Sequence, residues 1–185
     1  MPTVLTHAAV ALALGQSRKK TFRVDAWFWF LAIFCSILPD FDVIGFSFGI
    51  RYGDLWGHRG LTHSILFAVA VGILAGIALG GQTAEKIRNC ILLFGITASH
   101  GVLDAMTNGG LGIAFFSPFD ARRCFFPWRP IPVSPIGAGW LFSDLGLRIL
   151  LTEVFFVWLP VALIGLVLCA WRKWQQEEQQ IKDKT

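Results

Sequence analysis

Apolar residues in this chain are gathered into five blocks, separated by short segments that contain glycine, proline or basic residues. The blocks cover residues 4–14, 26–39, 61–80, 89–106 and 149–171. A helix needs roughly 20 apolar residues to cross a hydrocarbon core, so the fifth block is the clearest span and the third is nearly as long. The first two are short, which leaves open a tilted helix, a re-entrant segment or a helix completed by polar residues buried in protein. The pattern predicts an all-α bundle of about five helices, the first two short.

Composition places this bundle in a membrane. Only 15% of the residues are charged and the mean hydropathy is +0.60, whereas soluble domains carry about 25% charged residues. We expect one integral membrane domain over residues 1–174, with an aromatic and proline-rich interfacial segment between helices 4 and 5, and a polar cytoplasmic tail over 175–185. The net charge of +4 is explained by flanks that face anionic lipid, and no nucleic-acid partner is expected because no basic recognition module is present. The pattern does not define an oligomeric state.

The distribution of lysine and arginine predicts the orientation, because short cytoplasmic loops carry the excess of positive charge. With the N-terminus outside, the cytoplasmic segments 15–25, 81–88 and 172–185 hold ten of the sixteen basic residues. The outer segments 40–60 and 107–148 are longer, yet they hold six arginines and no lysine. We therefore expect a multi-pass membrane protein with its N-terminus outside and its C-terminus in the cytoplasm.

All four histidines and most acidic residues of the apolar blocks then fall at the outer end. A single histidine at a helix end is usually an interfacial residue, and arginines among aromatic residues are often a membrane anchor. Several ionisable groups at one depth need compensation, which a divalent cation supplies. The pattern therefore predicts a metal site on the outer side of the membrane, with the candidate ligands His7, Asp40, Asp42, His58, His63, His100 and Asp104.

Spacing adds detail to three of these segments. His100 and Asp104 are four residues apart on one helix face, so they can bind one metal, form a carboxylate–histidine pair or bridge two ions. Pro39 discourages a continuing helix, so the two aspartates that follow it are expected in an extended or turning stretch. His58 and His63 are five apart and would not share a helix face. We place the first on a loop and the second on the first turn of helix 3, with Thr62 or Ser64 available for supporting hydrogen bonds.

Four strings contain these residues: Thr6-His7, Leu38-Pro39-Asp40-Phe41-Asp42, Gly57-His58-Arg59-Gly60-Leu61-Thr62-His63-Ser64 and Ser99-His100-Gly101-Val102-Leu103-Asp104-Ala105-Met106-Thr107. Together they resemble the bacterial inner-membrane proteins called membrane-bound metal-dependent hydrolases. The similarity continues through Ser117-Pro118-Phe119 and Phe125-Phe126-Pro127-Trp128 to Glu153 and Trp158-Leu159-Pro160. The resemblance implies a helical membrane fold, a divalent metal and hydrolysis. It also implies the bacterial inner membrane as the location, so that the N-terminus and the metal site would face the periplasm.

Mixed histidine and aspartate ligands suit zinc first, with manganese or iron as alternatives, and their number is enough for one or two ions. Such ions activate water and polarise phosphoryl or acyl groups. The working hypothesis is hydrolysis of a phosphoester, or an ester, of a membrane lipid or isoprenyl phosphate at the outer leaflet. Asp42 and His58 are further ligands or proton-transfer groups in this hypothesis, and Glu153 is a candidate general base. Arginine suits phosphate, so the head-group candidates are Arg59, Arg122, Arg123, Arg129 and Arg148.

Two other classes of function fit the same residues. A divalent-metal transporter or sensor would place ionisable ligands near the midplane or on both sides of the membrane, whereas these residues cluster at one end. A metal-stabilised protein without catalysis uses the same ligand types in a closed shell.

Overall fold

The computed structural model describes residues 1–18, 25–135 and 139–182, without the side chains of residues 25, 168–169, 172–173 and 175–182. The basic residues at 19–23 and the last three residues of the expected tail therefore lie outside the described residues. The α-helices are α1 (Val4–Gly15), α2 (Asp25–Ile37), α3 (Ile65–Ala78), α4 (Thr83–Ala105), α5 (Asp144–Glu153) and α6 (Leu159–Lys182).

The prediction of an all-helical bundle of about five helices is confirmed. A π-helical turn, Val154–Trp158, joins α5 to α6 without a break, so these two form the fifth helix of the bundle. Pairing of β type within the described ranges is limited to two isolated bridges, which join Thr107 to Ile131 and Ile113 to Cys124. Two helical stretches are long and apolar enough to cross a membrane, namely Ala26–Phe48 and Asp144–Val167, whereas α1 and α3 are shorter.

The fifth helix is longer than its apolar block. It begins at Asp144, because the Ser143 side chain accepts a hydrogen bond from the Gly146 amide and so satisfies one of the free donors of the first turn. It continues to Lys182, so the first part of the expected polar tail is helical. The two ends of this helix cannot be predicted from the apolar residues alone, because the polar residues at both ends are compatible with a helix.

The chain after Pro39 also differs from the expected extended stretch. A 3-10 helix, Leu38–Phe48, continues directly from α2 and ends at Gly49, whose φ of 80° is left-handed. Pro39 lies in the first turn of this 3-10 helix, a position at which proline is tolerated. As a result, Asp40 and Asp42 lie on a helical segment that continues towards the end of the bundle.

Helices α3 and α4 pack closely through glycines. A methyl group added at Gly72 would lie 2.6 Å from the Phe94 backbone nitrogen, and one added at Gly76 would lie 2.6 Å from that of Cys90. The core beside this pair includes Phe28, Ala32, Leu93 and Ile96, all buried. This packing fixes α4, which supplies two residues of the site described below.

The segment between α4 and α5 covers one end of the bundle. Ile113, Ala114 and Ile131 are buried, and the Ala114 amide donates to the Arg59 carbonyl. The Ile65 amide at the start of α3 donates to the Phe115 carbonyl. The segment is therefore packed onto the helices, while several of its aromatic side chains point outward.

Candidate metal centre

Four polar side chains meet beneath this covering segment. Asp40 comes from the 3-10 extension of α2, His63 from a short 3-10 turn (Leu61–His63) before α3, and His100 and Asp104 from successive turns of α4. Each offers one ligand atom, and these atoms lie within 4.8 Å of one another. All four residues are buried, with exposed fractions from 0% to 6%. We call Asp40, His63, His100 and Asp104 the inner group.

Distances within the inner group match those between ligands of one ion. The two Nε2 atoms of His63 and His100 are 3.1 Å apart, and Asp40 Oδ1 lies 3.3 Å from the second of them. His63 Nε2 is 3.5 Å from Asp104 Oδ2 and 3.8 Å from Asp40 Oδ1. Metal–ligand bonds of about 2.0–2.1 Å arranged as a tetrahedron separate the ligands by about 3.3 Å. The inner group is thus spaced to surround a cation.

The hydrogen bonds of the two histidines leave both Nε2 lone pairs facing this space. His100 Nδ1 lies 2.7 Å from the Ser36 carbonyl oxygen, to which only a protonated nitrogen can donate. His63 Nδ1 lies 3.1 Å from Thr62 Oγ1 and 3.2 Å from Asp42 Oδ2. Because the Thr62 hydroxyl donates to Asp42, its oxygen accepts from His63 Nδ1, which is therefore also protonated. Two lone pairs 3.1 Å apart repel each other unless a proton or a metal ion lies between them.

The carboxylates of the inner group lack hydrogen bonds to the described residues. Among the described residues, the four oxygens of Asp40 and Asp104 have no hydrogen-bond partner, although they are buried. Buried polar atoms are normally hydrogen-bonded, and an unpaired buried charge costs several kcal/mol. A proton shared by the two Nε2 atoms would leave these oxygens without a partner. A divalent ion would bind both Nε2 atoms and one oxygen of each carboxylate. The donor set therefore fits a metal.

His7 lies against the inner group from α1. Its ring is stacked on that of His100, with centroids 3.8 Å apart and planes 14° apart. His7 Nε2 is 3.8 Å from Asp104 Oδ1, and neither ring nitrogen has a hydrogen-bond partner within the part of the chain that the structure describes. His7 thus presents a free polar edge beside the candidate ligands.

Asp42 and His58 belong to a second, adjoining cluster. Asp42 Oδ1 is 2.7 Å from His58 Nδ1, and Asp42 Oδ2 accepts from the Arg59 amide and from Thr62 Oγ1. The Asp42 and His58 side chains are 1% and 3% exposed. Of the two hydroxyl residues expected to support the site, Thr62 bonds to Asp42 and Ser64 caps α3. We call Asp42, His58 and His63 the outer group, since His63 belongs to both.

The loop that carries these histidines depends on its glycines. A methyl group at Gly57 would lie 2.1 Å from the Arg51 carbonyl oxygen, and one at Gly60 would lie 2.3 Å from that of Leu55. Neither position can accept a side chain without displacing backbone. These close contacts accompany a compact turn over residues 51–60.

Arg59 is buried inside the site. Its NH1 donates to the Gly109 carbonyl and its NH2 to Thr107 Oγ1, at 2.7 and 3.0 Å. Its Nε lies 3.1 Å from Asp104 Oδ2, an ion-pair distance at an angle that does not make a hydrogen bond. Its backbone is left-handed, with φ of 66°, which is uncommon outside glycine. The guanidinium therefore ties α4 and the covering segment to the inner group rather than facing solvent.

The other arginines predicted to bind a head group differ in their surroundings. Arg122 NH2 lies 2.6 Å from Asp120 Oδ2. The hydrogen bonds from Arg122 lower the pKa of the Asp120 carboxyl. Arg123 donates to the backbone carbonyls of Tyr52, Asp54 and His58. Arg129 is exposed and lies over the Phe125 ring, 5.0 Å from its centroid. Arg148 is exposed on α5.

Glu153 lies in a polar contact between α5 and α1. Its Oε1 accepts from the Thr3 amide at 2.6 Å, and its Oε2 accepts from the hydroxyls of Thr3 and Thr6. Trp158 Nε1 also donates to Thr6 Oγ1. The fully buried Glu153 carboxylate thus contacts the first turn of α1, where Thr6 directly precedes His7. The sequence offers one signal for the contact, a threonine three residues before another at a helix start, which is typical of an N-cap.

The profile of the YdjM inner membrane protein family matches residues 1–176. The chain belongs to this family. Inner membrane protein YbcI of Escherichia coli (strain K12) is 37% identical over 176 residues, which cover 94% of this chain and 99% of that protein. No solved structure matches the chain.

Membership of the YdjM family supports the bacterial inner membrane as the location of the chain. It agrees with the membrane-protein part of the resemblance drawn from the sequence strings. The apolar stretches Ala26–Phe48 and Asp144–Val167 are consistent with it.

Proposed function

We propose that the chain is a metal-dependent hydrolase that cleaves a phosphoester of a membrane lipid or isoprenyl phosphate at the outer leaflet. The observation that carries the proposal is the inner group, in which two Nε2 atoms and two carboxylates without hydrogen bonds converge. When bound there, a divalent ion, zinc in the first place and manganese or iron otherwise, would polarise a phosphoryl group and activate water.

The protein's own residues would hold and orient the reacting groups. Asp40, His63, His100 and Asp104 would bind the ion, and Arg59 would keep the Asp104 carboxylate in place. His7 has a free ring edge beside Asp104, from which it would hydrogen-bond the substrate. Glu153 already accepts three hydrogen bonds at the first turn of α1, so its part in this proposal is to position α1.

The surroundings of the site support an amphiphilic substrate. Exposed aromatic side chains extend from the covering segment, from the end of the 3-10 helix and from the loop that follows this helix, at Phe48, Trp56, Phe116, Phe119 and Trp128. Aromatic residues of this kind concentrate at the membrane–water interface. Arg129, exposed beside Phe125, offers a planar cation suited to an anionic head group. The excess of lysine and arginine in the other loops supports a periplasmic position for this end.

Hydrolysis can be tested directly with purified protein in lipid nanodiscs. Phosphatidic acid and a polyprenyl phosphate are supplied with zinc or manganese, and inorganic phosphate is measured. We expect release that falls at least about 100-fold in Asp104→Asn, as for loss of a main electrostatic contributor. Asp120→Asn is the matched control, since Asp120 lies at the surface and pairs with Arg122. Equal release with and without a chelator, or none from either lipid, would contradict the proposal.

One observation favours a second candidate, a metal-stabilised protein without catalysis. All four residues of the inner group are buried beneath the covering segment, as in closed structural sites. In that case metal removal would lower the thermal unfolding temperature, while no lipid would be hydrolysed under any metal.

A further inference from the structure

The inner and outer groups share His63, which raises the question of how many ions they hold. His63 presents Nε2 to the inner group and Nδ1 to Asp42. Both groups could hold metal only if this imidazole lost both ring protons and bridged two ions. If the inner group alone binds an ion, His63 keeps a proton on Nδ1, which faces Thr62 Oγ1 at 3.1 Å and Asp42 Oδ2 at 3.2 Å.

Hydrogen bonding separates the two groups. Asp42 is hydrogen-bonded to His58 Nδ1, the Arg59 amide and Thr62 Oγ1, and His63 Nδ1 lies 3.2 Å from its Oδ2. Both of its oxygens therefore already have partners in the protein. In contrast, the oxygens of Asp40 and Asp104 have no hydrogen-bond partner in the described ranges.

The net charge of these buried groups also favours a single ion. The two groups contain the carboxylates of Asp40, Asp42 and Asp104, and the Arg59 guanidinium lies beside them; all four side chains are at most 7% exposed. With neutral histidines, two negative charges remain uncompensated. One divalent ion neutralises them, whereas two would leave a buried excess of positive charge, which is costly.

Backbone geometry explains why two aspartates so close in sequence have different partners. A 3-10 helix has three residues per turn, so residues two apart point about 120° away from each other. Asp40 accordingly faces His100 and His63 Nε2, whereas Asp42 faces His58 and His63 Nδ1.

We infer that the centre binds a single divalent ion in the inner group, and that Asp42 is a positioning residue which orients His63 and is itself held by His58. The inference rests on the metal centre of the proposed function. Asp42 fixes the proton of His63 on Nδ1 and so keeps Nε2 free for the ion, as carboxylates do for metal-binding histidines in general. The Ser36 carbonyl does the same for His100.

Counting bound metal tests this inference. The purified full-length chain in nanodiscs is titrated with Zn²⁺, and bound zinc per chain is measured after free ion is removed. We expect about one ion per chain in the wild type and in His58→Gln. Asp42→Asn should still reach about one ion at saturation, with affinity reduced about 10- to 100-fold, the usual loss when a supporting partner is removed. Asp120→Asn serves as the control and should bind like the wild type.

Two ions in the wild type, falling to one in His58→Gln, would overturn the inference. His58→Gln is sufficient for this decision if Asp42→Asn fails to fold. Absence of bound zinc in the wild type would overturn the inference together with the proposed function. One ion per chain without hydrolysis would contradict only the proposed activity and leave the single-ion centre standing.

Discussion

The ring of His7 on α1 lies parallel to the ring of His100 on α4, with centroids 3.8 Å apart. The contact joins the first helix of the chain to the helix that supplies two residues of the inner group. It also sets His7 Nε2 3.8 Å from Asp104 Oδ1. Stacking and hydrogen bonding by the same ring can be separated by substitution.

His7→Phe should keep the stacked aromatic ring while removing both nitrogens. We expect bound metal close to the wild-type level and hydrolysis reduced at least about 10-fold, because the ring edge that contacts substrate is lost. Metal content and phosphate release measured on the same preparation check this. Loss of the metal in His7→Phe would show instead that His7 is a ligand.

Glu153→Ala should destabilise the fold, since the Thr3 amide and the Thr3 and Thr6 hydroxyls lose their acceptor. A hydrogen bond to a charged group contributes about 1.5–3 kcal/mol, so we expect a loss of at least about 2 kcal/mol. Thermal unfolding in detergent measures it. Glu85→Gln is the control, because the Glu85 side chain is 44% exposed and its Oε1 lies 3.9 Å from Arg88 NH2. Equal unfolding temperatures for the two variants would argue against the α1–α5 contact.

Gly72→Ala should weaken the packing of α3 on α4, because the new methyl group meets the backbone of Phe94 at 2.6 Å. Overpacking of this kind costs about 1–3 kcal/mol. Gly95→Ala is the matched change on α4, since a methyl group there meets no atom within 4 Å among the described residues. We expect Gly95→Ala to leave the unfolding temperature unchanged or to raise it, as alanine favours helix. A tolerated Gly72→Ala would contradict the close approach of the helices.

Orientation can be read from Cys124, an exposed thiol on the covering segment. If this end faces the periplasm, a membrane-impermeant maleimide should label it in intact spheroplasts, and Cys124→Ser should abolish that labelling. Labelling that requires a permeabilised membrane would reverse the proposed orientation.

The sequence was informative about the composition of the site because helix spacing and charge distribution are local signals. His100 and Asp104, four residues apart, were expected on one face of a helix, and both lie in the inner group. The bundle of about five helices followed from block lengths. These features depend on residues close together in the chain, where periodicity is strong.

The roles of Arg59 and Glu153 depend instead on distant residues. Arg59 was expected to face a phosphate, yet its donors are bound to Thr107 and Gly109, about fifty positions later. Glu153 was considered a general base, and its partners lie at the opposite end of the chain. Asp40 and Asp42 could not be distinguished either, because a helical continuation after Pro39 was not expected. Contacts between residues that are far apart in the chain produce no periodic pattern in a single sequence.

Metal analysis of the purified protein tests the central claim, that Asp40, His63, His100 and Asp104 form a metal centre. Wild type, His63→Ala, Asp104→Ala and the surface control Asp120→Asn are prepared without chelator and measured by inductively coupled plasma mass spectrometry. We predict about one equivalent of a transition metal in the wild type and the control, and its loss in the two site variants. A wild type without metal, or site variants that retain it in full, would contradict the account.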